Sequence, residues 1–327
     1  VDFLWADLHP VMVLEIFWGI RIIVSFSGGK DSQACLIKAC KDFGAANVTA
    51  VFCDTGWEHN LTYMHVHEVT HSLGCKLEII RNEHFGYDAF ANLCRQMKWF
   101  PDTQHRMCTV QLKIMPMIDW ILQQRENLII IQGIRAAESQ QRSMMTCSGD
   151  YFAEYEREKK LYRKTDVLTW KNSFSCVVER PMFGYSAQDI IDFILSAGQK
   201  PNPLYSMGFS RVGCFPCIYA RLSELKLMRK ERFYVDRLSK LEDEVTDIRR
   251  KEAVGNFRPA TFFAKNKIPE RFCTKYRELG IPTAEDVFAY VSRDDAQLDM
   301  FDDEGQTSCM SIYHGLCEWS YAESFEF

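Results

Sequence analysis

Short runs of β-branched and apolar residues alternate along the chain with stretches in which apolar positions recur every three or four residues. The runs at 21–26, 48–53, 76–80, 128–132 and 176–180 predict strands, and the periodic stretches at 31–43, 59–73, 87–97, 110–124 and 186–197 predict the helices between them. Strands and helices in alternation imply βαβ units. The expected fold class is therefore α/β, a doubly wound parallel sheet of about five strands covered on both faces. The helix at 186 carries its own start signal: Ser186 with Asp189 three residues later makes a capping box, and Gly198 stops the helix.

Beyond residue 203 the pattern changes. GCFPC at 213–217 leads into a long charged helical segment over 219–252, and a short helix is expected at 283–292. The stretch DDAQLDMFDDE at 294–304 has six acids and no base and reads as a solvated connector, followed by a tail that holds Cys309 and Cys317. The organisation expected is an α/β domain over 1–205 with an N-terminal arm at 1–20. A mostly helical, cysteine-containing region over 206–293 follows, and then a connector and tail over 294–327.

Composition narrows the class. The 327 residues are 47% hydrophobic and 25% charged with a net charge of −5, which argues against a chain-wide basic nucleic-acid binder. Acids, His9 and Pro10 interrupt the apolar N-terminus before it reaches a bilayer-spanning run of about 20 residues, so no membrane role is expected. The 13 cysteines read as reduced thiols or metal ligands in a cytoplasmic setting rather than as a disulfide framework.

The chemistry begins at SFSGGKDS, residues 25–32. It is not a P-loop, because Val24 stands where the first glycine belongs and Asp31 follows Lys30. It is not the dinucleotide fingerprint either, because Lys30 occupies the second glycine position. The parts of an anion seat are nonetheless present. Gly28 and Gly29 let the backbone approach a phosphate, the start of the next helix offers N–H groups, and Lys30 supplies a full charge. Ser27 and Ser32 can donate hydroxyls, and Asp31 or Ser32 can cap the helix. A plain strand-to-helix turn is the alternative.

SGGKDS resembles the PP-loop of the adenine-nucleotide α-hydrolase-like superfamily, in its phosphoadenosine phosphosulfate (PAPS) reductase branch. CDTGWEHNLTY at 53–63, GIRAAESQQR at 133–142, RPMFGYSAQDIIDFI at 180–194 and NPLYSMGFSRVGC at 202–214 are similar, in order, to later segments of that family. The resemblance implies an adenine nucleotide (ATP, PAPS or adenylyl sulfate) held by Ser27, Gly28, Gly29, Lys30, Asp31, Ser32, Asp54, Gly133, Arg135 and Glu138. On the residues themselves, Asp54 ends the second strand, where a carboxylate can take a ribose hydroxyl or cap the next helix. Arg135 and Arg142 follow the fourth strand with guanidinium forks suited to phosphate or sulfate. Glu138 is spaced to hold either arginine.

HEVTHSLG at 67–74 fits the HExxH zinc signature, but Leu77 stands where a third ligand would be and Gly74 serves as a helix stop; His67 and His71 are expected to face solvent. Cys214-Phe-Pro-Cys217 suits a metal or a redox disulfide. Cys108, in RMCTVQLKIMP, resembles the cysteine segment of iron–sulfur family members, with Met107 where those carry a second cysteine. The resemblance thus implies a [4Fe–4S] cluster on Cys108, Cys214, Cys217 and a fourth thiolate, for which Cys273 is the first candidate. Structural zinc and plain redox thiols are the alternatives. Cys35, Cys40, Cys53, Cys75, Cys94, Cys147 and Cys176 read as small buried hydrophobes.

Two reactions compete. In a sulfonucleotide reductase, Lys30, Arg135 and Arg142 would grip phosphate and sulfate while Cys317 (or Cys309) attacks sulfur, with a thioredoxin-like reductant as partner. In an ATP pyrophosphatase the same loop would hold pyrophosphate with Mg²⁺, and a nucleic acid would accept sulfur from a desulfurase. Lys159, Lys160, Arg163, Lys164 and Lys171 would then carry that acceptor's phosphates or form a solvated helix face.

Overall fold

The computed structural model describes residues 19–102, 105–153, 161–253 and 257–293. Cys309, Cys317, Lys159, Lys160, the N-terminal arm and the acidic connector lie outside the described residues. No helix among the described residues is long and apolar enough to cross a membrane.

The chain divides into two compact units that interleave along the sequence. The first takes the described residues up to Cys53, then Met64–Ile80 and Met117–Pro201; the second takes Asp54–Tyr63, Arg81–Pro116 and the residues from Asn202 on. The last switch between the units falls after Pro201. What the linear pattern does not convey is that residues 54–63 and 81–116 pack with the C-terminal helices, because their apolar side chains belong to that core.

The first unit is a six-stranded sheet in the order β3-β2-β1-β4-β6-β5. Its strands are β1 (Ile20–Ser25), β2 (Val48–Cys53), β3 (Lys76–Ile80), β4 (Asn127–Gln132), β5 (Ser148–Asp150) and β6 (Cys176–Glu179). β1, β2, β3, β4 and β6 run parallel, in the register Ile23↔Thr49 and Ile23↔Ile130 at the centre. Ile23, Val24, Val48, Ala50 and Ile130 are fully buried, as strands covered on both faces require. The sixth strand, β5, is the addition to the five expected: a three-residue antiparallel edge, Ser-Gly-Asp, without the apolar signal that marks a strand. Strand order reverses at β1, with β2 on one side and β4 on the other. In open α/β sheets the ligand crevice lies there, outside the carboxyl ends of the strands.

Helix α1 (Lys30–Phe43) follows β1 and packs against α6 (Ala187–Ser196). Before α6 come α2 (Asn60–Leu73), α3 (Ala89–Met97), α4 (Met115–Gln123) and α5 (Lys164–Lys171). The capping box of α6 forms: Ser186 Oγ accepts from Asp189 N at 3.1 Å, and Asp189 Oδ2 accepts from Ser186 N at 2.8 Å. Before α4 the segment Val110–Ile114 is a π-turn. Pro116 has no N–H to give to the carbonyl of Leu112, so the ladder resets at this point within a helical run that extends from Met107 to Gln123.

The second unit is built from α3, α7 (Leu222–Met228), α8 (Arg232–Glu252) and α9 (Ala284–Val291) around Phe90, Leu93, Leu225, Leu238, Leu241, Phe262 and Val287. One helix was expected over 219–252; there are two. On a single helix Leu225 and Leu238 would face about 140° apart. The break at Glu231 (φ −90°, ψ 71°) lets both enter one core.

Candidate nucleotide site

The turn after β1 is knitted by its own serines. Ser32 Oγ donates to Gly29 O at 2.9 Å, accepts from Ser27 N at 3.2 Å and lies 3.2 Å from Ser27 Oγ. Gly28 sits at φ +76°, in the left-handed region that favours glycine. Gly29 is the N-cap of α1, and no side chain caps the helix. Neither Asp31 nor Ser32 takes that role: Ser32 ties the turn, and Asp31 turns to cations instead.

The loop after β4 docks on this turn. A Cβ on Gly133 would stand 2.4 Å from Ser32 N and 2.6 Å from the carbonyl carbon of Asp31, so the two backbones are in contact and only glycine fits between them. Two residues on, the Arg135 guanidinium bonds Asp31 Oδ1 through Nε. Lys30 Nζ lies 3.3 Å from the other Asp31 oxygen. Lys30 and Arg135 are each only 6% exposed. One carboxylate thereby holds two buried cations in fixed places, and the trio keeps a net positive charge at the first turn of a 14-residue helix.

Glu138 resolves its two expected partners. Its Oε2 accepts from the backbone N of Arg135 at 3.0 Å and takes the guanidinium of Arg142 through Nη1. Ser139 Oγ accepts from Arg142 N at 3.2 Å. Arg142 is half-exposed, unlike Arg135. Nearby, the buried Arg180 donates to Thr146 O at 2.6 Å and to Gln132 Oε1 at 2.8 Å, fixing the end of β4. The sequence reading missed it, although a lone arginine closing an apolar strand was the signal available.

In the second unit, Asp54 is fully engaged by protein. Oδ1 accepts from Gly56 N and Tyr63 OH, both at 2.8 Å, and Oδ2 pairs with Arg81 at 3.1 Å. These bonds belong to a turn-holding carboxylate. Glu58 was also missed. Buried at 3% exposure, it accepts from Thr55 N, Thr55 Oγ1, Trp57 N and Tyr63 OH.

The thiols converge only in part. Cys108, Cys214 and Cys217 feel one another's charge, and Cys94, on α3, feels Cys108. Burial pushes the Cys214 thiol up to about 12; its sulfur faces Thr55 Oγ1 at 3.8 Å and Glu58 Oε1 at 4.0 Å. Cys273 is set among Asp286, Glu270 and Lys265 instead. No group of three cysteine, histidine or carboxylate side chains among the described residues could hold a metal. Of the expected set, Cys108, Cys214 and Cys217 act on one another, whereas the charges that act on Cys273 are those of Asp286, Glu270 and Lys265. The four named thiols do not make a four-thiolate set, and no step is routed through a cluster.

His67, Glu68 and His71 are exposed on α2, as a crossover helix requires. The described basic residues of the 143–180 insertion are mostly ion-paired: Arg163 with Asp119 and Asp166, and Lys171 with Asp150. Of the cysteines read as buried, Cys147 is exposed and Cys40, Cys53 and Cys75 are half-buried.

The family model of the phosphoadenosine phosphosulfate reductase domain matches residues 21–220, which span β1 to β6 and both cysteines of CFPC. The chain belongs to the PAPS reductase domain family. The uncharacterized 37.8 kDa protein in the gpa 5′ region of Escherichia phage 186 is 29% identical over 348 residues, covering 90% of this chain and 96% of its own. An uncharacterized protein of Methanocaldococcus jannaschii is 28% identical over 64% of this chain and 38% of its own length. Among solved structures, the PAPS reductase of Candida auris in its phosphate complex aligns with TM-score 0.45 at 15% identity, over 65% of this chain and 92% of that one. The FMN adenylyltransferase of Candida glabrata aligns with TM-score 0.35 at 15% identity, over 64% and 55%. In PAPS reductase family terms, the loops after β1 and β4 both lie inside the matched span, whereas α7, α8 and α9 follow it.

Proposed function

We propose that this PAPS reductase family chain is an enzyme that binds an adenine nucleotide through residues 27–32 and acts on it as a sulfonucleotide reductase. The observation that supports this reading is the contact between Gly133 and Ser32, with Asp31 holding Lys30 and Arg135 beside it. Two buried cations and a glycine-lined helix start form a seat for phosphate and sulfate oxygens, prepaid in position. Arg142, half-exposed and paired only with Glu138 among the described contacts, would close on the outer oxygens.

In the reaction proposed, a thiolate of the tail, Cys317 first, attacks the sulfur of an adenylyl sulfate. The S–O bond to the nucleotide phosphate breaks, the nucleotide leaves with that electron pair, and a cysteine thiosulfonate remains. A dithiol of the thioredoxin type then attacks the cysteine sulfur, releasing sulfite and ending as a disulfide with the regenerated thiol. A cytoplasmic setting suits the reduced thiols this needs.

Two sequence observations favour a second reading, ATP pyrophosphatase chemistry with Mg²⁺ ahead of sulfur insertion into a nucleic acid. Met107 replaces a family cysteine, and SIYHGLCE departs from the reductase tail order. The ion pairs of Arg163 and Lys171 leave less free charge for such an acceptor than the sequence suggested. The test runs both reactions on anaerobically purified full chain. Sulfite from PAPS or adenylyl sulfate with thioredoxin supports the reductase; pyrophosphate from ATP and Mg²⁺ without sulfite overturns it.

A further inference from the structure

Outside the nucleotide site, two half-buried thiols face each other at the opposite end of α1. Cys40 sits in the last turn of that helix, where its carbonyl accepts from Gly44 N at 3.1 Å. Cys75 directly precedes β3, between the exposed Gly74 and Lys76. The chain from α1 re-enters the sheet at Val48, and β2 pairs with β3 through Thr49↔Lys76, so the topology delivers both cysteines to the amino edge of the same two strands. Their side chains come within mutual reach, each acting on the other's thiol. The Cys75 backbone N and sulfur both point at Thr70 O, at 3.2 and 3.8 Å, which fixes the residue after the Gly74 turn.

We infer that Cys40 and Cys75 form a redox pair, closing to a disulfide with low-molecular-weight disulfides and reopening with thiols. The pair lies about 15 Å along α1 from Lys30, and the proposal goes beyond the nucleotide reading. Cys75 stands between the exposed Gly74 and Lys76, where an external disulfide can reach it, and the contact with Cys40 pulls its thiol below the ordinary range. Cys75 is the attacking thiolate. It displaces one thiolate from the external disulfide and becomes a mixed disulfide. Cys40 then attacks the Cys75 sulfur, loses its proton and expels the second thiol. The protein loses two hydrogens, and the external disulfide is reduced to two thiols.

The experiment treats the full chain, reduced and then freed of reductant, with oxidised glutathione, blocks the remaining thiols by alkylation and maps peptides without reduction. The expected result is a Cys40–Cys75 linked peptide that disappears on adding dithiothreitol. Cys40→Ser is expected to stop at glutathione on Cys75. Glutathione retained on Cys75 in the unaltered chain with no link, or both residues fully alkylated while the exposed Cys147 is modified, overturns the proposal.

Discussion

Gly133 and Ser32 are in backbone contact: a Cβ on residue 133 would lie 2.4 Å from the nitrogen of Ser32. Neither partner can yield easily, because one directly follows the central strand β4 and the other stands in the first turn of α1. Gly133→Ala is expected to push the two loops apart, lower stability by about 1–3 kcal/mol and weaken adenine nucleotide binding at least about tenfold, or 1.4 kcal/mol. Urea unfolding and a nucleotide titration on the same sample separate the two effects.

The Arg135 guanidinium is held by Asp31, while Glu138 takes only the Arg135 backbone N–H, so the two arginines of the motif should respond differently to substitution. Arg135→Gln removes a buried cation and leaves Asp31 paired with Lys30 alone; nucleotide affinity is expected to fall by about 10- to 100-fold, the worth of a charge-assisted contact. Arg142→Gln removes a half-exposed cation and should cost about tenfold or less. Comparable losses for both, measured by calorimetry, would count against this division of roles.

Asp54 was read as a ribose ligand or a cap, and its two oxygens are occupied by Gly56, Tyr63 and Arg81. The turn-holding role predicts that Asp54→Ala lowers unfolding stability by about 2–4 kcal/mol. Thermal unfolding without nucleotide checks it; an unchanged midpoint would return the residue to ligand binding.

These outcomes also show how legible the molecule was. The buried strands were written plainly, because continuous apolar runs between helices have few other uses. β5 was not legible, since Ser-Gly-Asp pairs at an edge through its backbone. SGGKDS and GIRAAES could be located as a candidate site, but not the pairing within it. Whether Arg135 reaches Asp31 or Glu138 depends on how two strand ends meet, a tertiary fact. The cysteines were legible only in part for the same reason: spacing brought Cys214 and Cys217 together, whereas Cys273, the first candidate for a fourth thiolate ahead of Cys309 or Cys317, lies among carboxylates. Cys94, which also feels Cys108, looked like an ordinary apolar position on α3.

A pH dependence follows from His59. It is 6% exposed and stacks on Tyr234, with ring centroids 4.6 Å apart, and its Nδ1 accepts from Leu61 N. Burial lowers it to about 4. Above about pH 6.5 folded and unfolded chains are both neutral at this residue and it adds no penalty. Below that the unfolded chain takes a proton the folded chain refuses, so stability falls as pH drops toward 4, by up to about 3 kcal/mol. His65, beside Gln33, is lowered to about 4 by burial and acts likewise. Glu242, raised to about 7 by burial, acts oppositely: its contribution is present below about pH 4.5 and lost as pH rises through 7. Comparing His59→Asn with the unaltered chain cancels the other two. The variant should lose less stability between about pH 7 and pH 4.5, measured by urea unfolding; equal losses would place the proton elsewhere.

The central claim is that the turn at 27–32 seats the phosphates of an adenine nucleotide. Titration calorimetry of the full chain with ATP, PAPS and adenylyl sulfate, repeated on Lys30→Ala, tests it most directly. The account predicts saturable heat with at least one of the three, weakened at least about tenfold, or 1.4 kcal/mol, by the substitution. No heat with any of them, or equal affinity without Lys30, would contradict it.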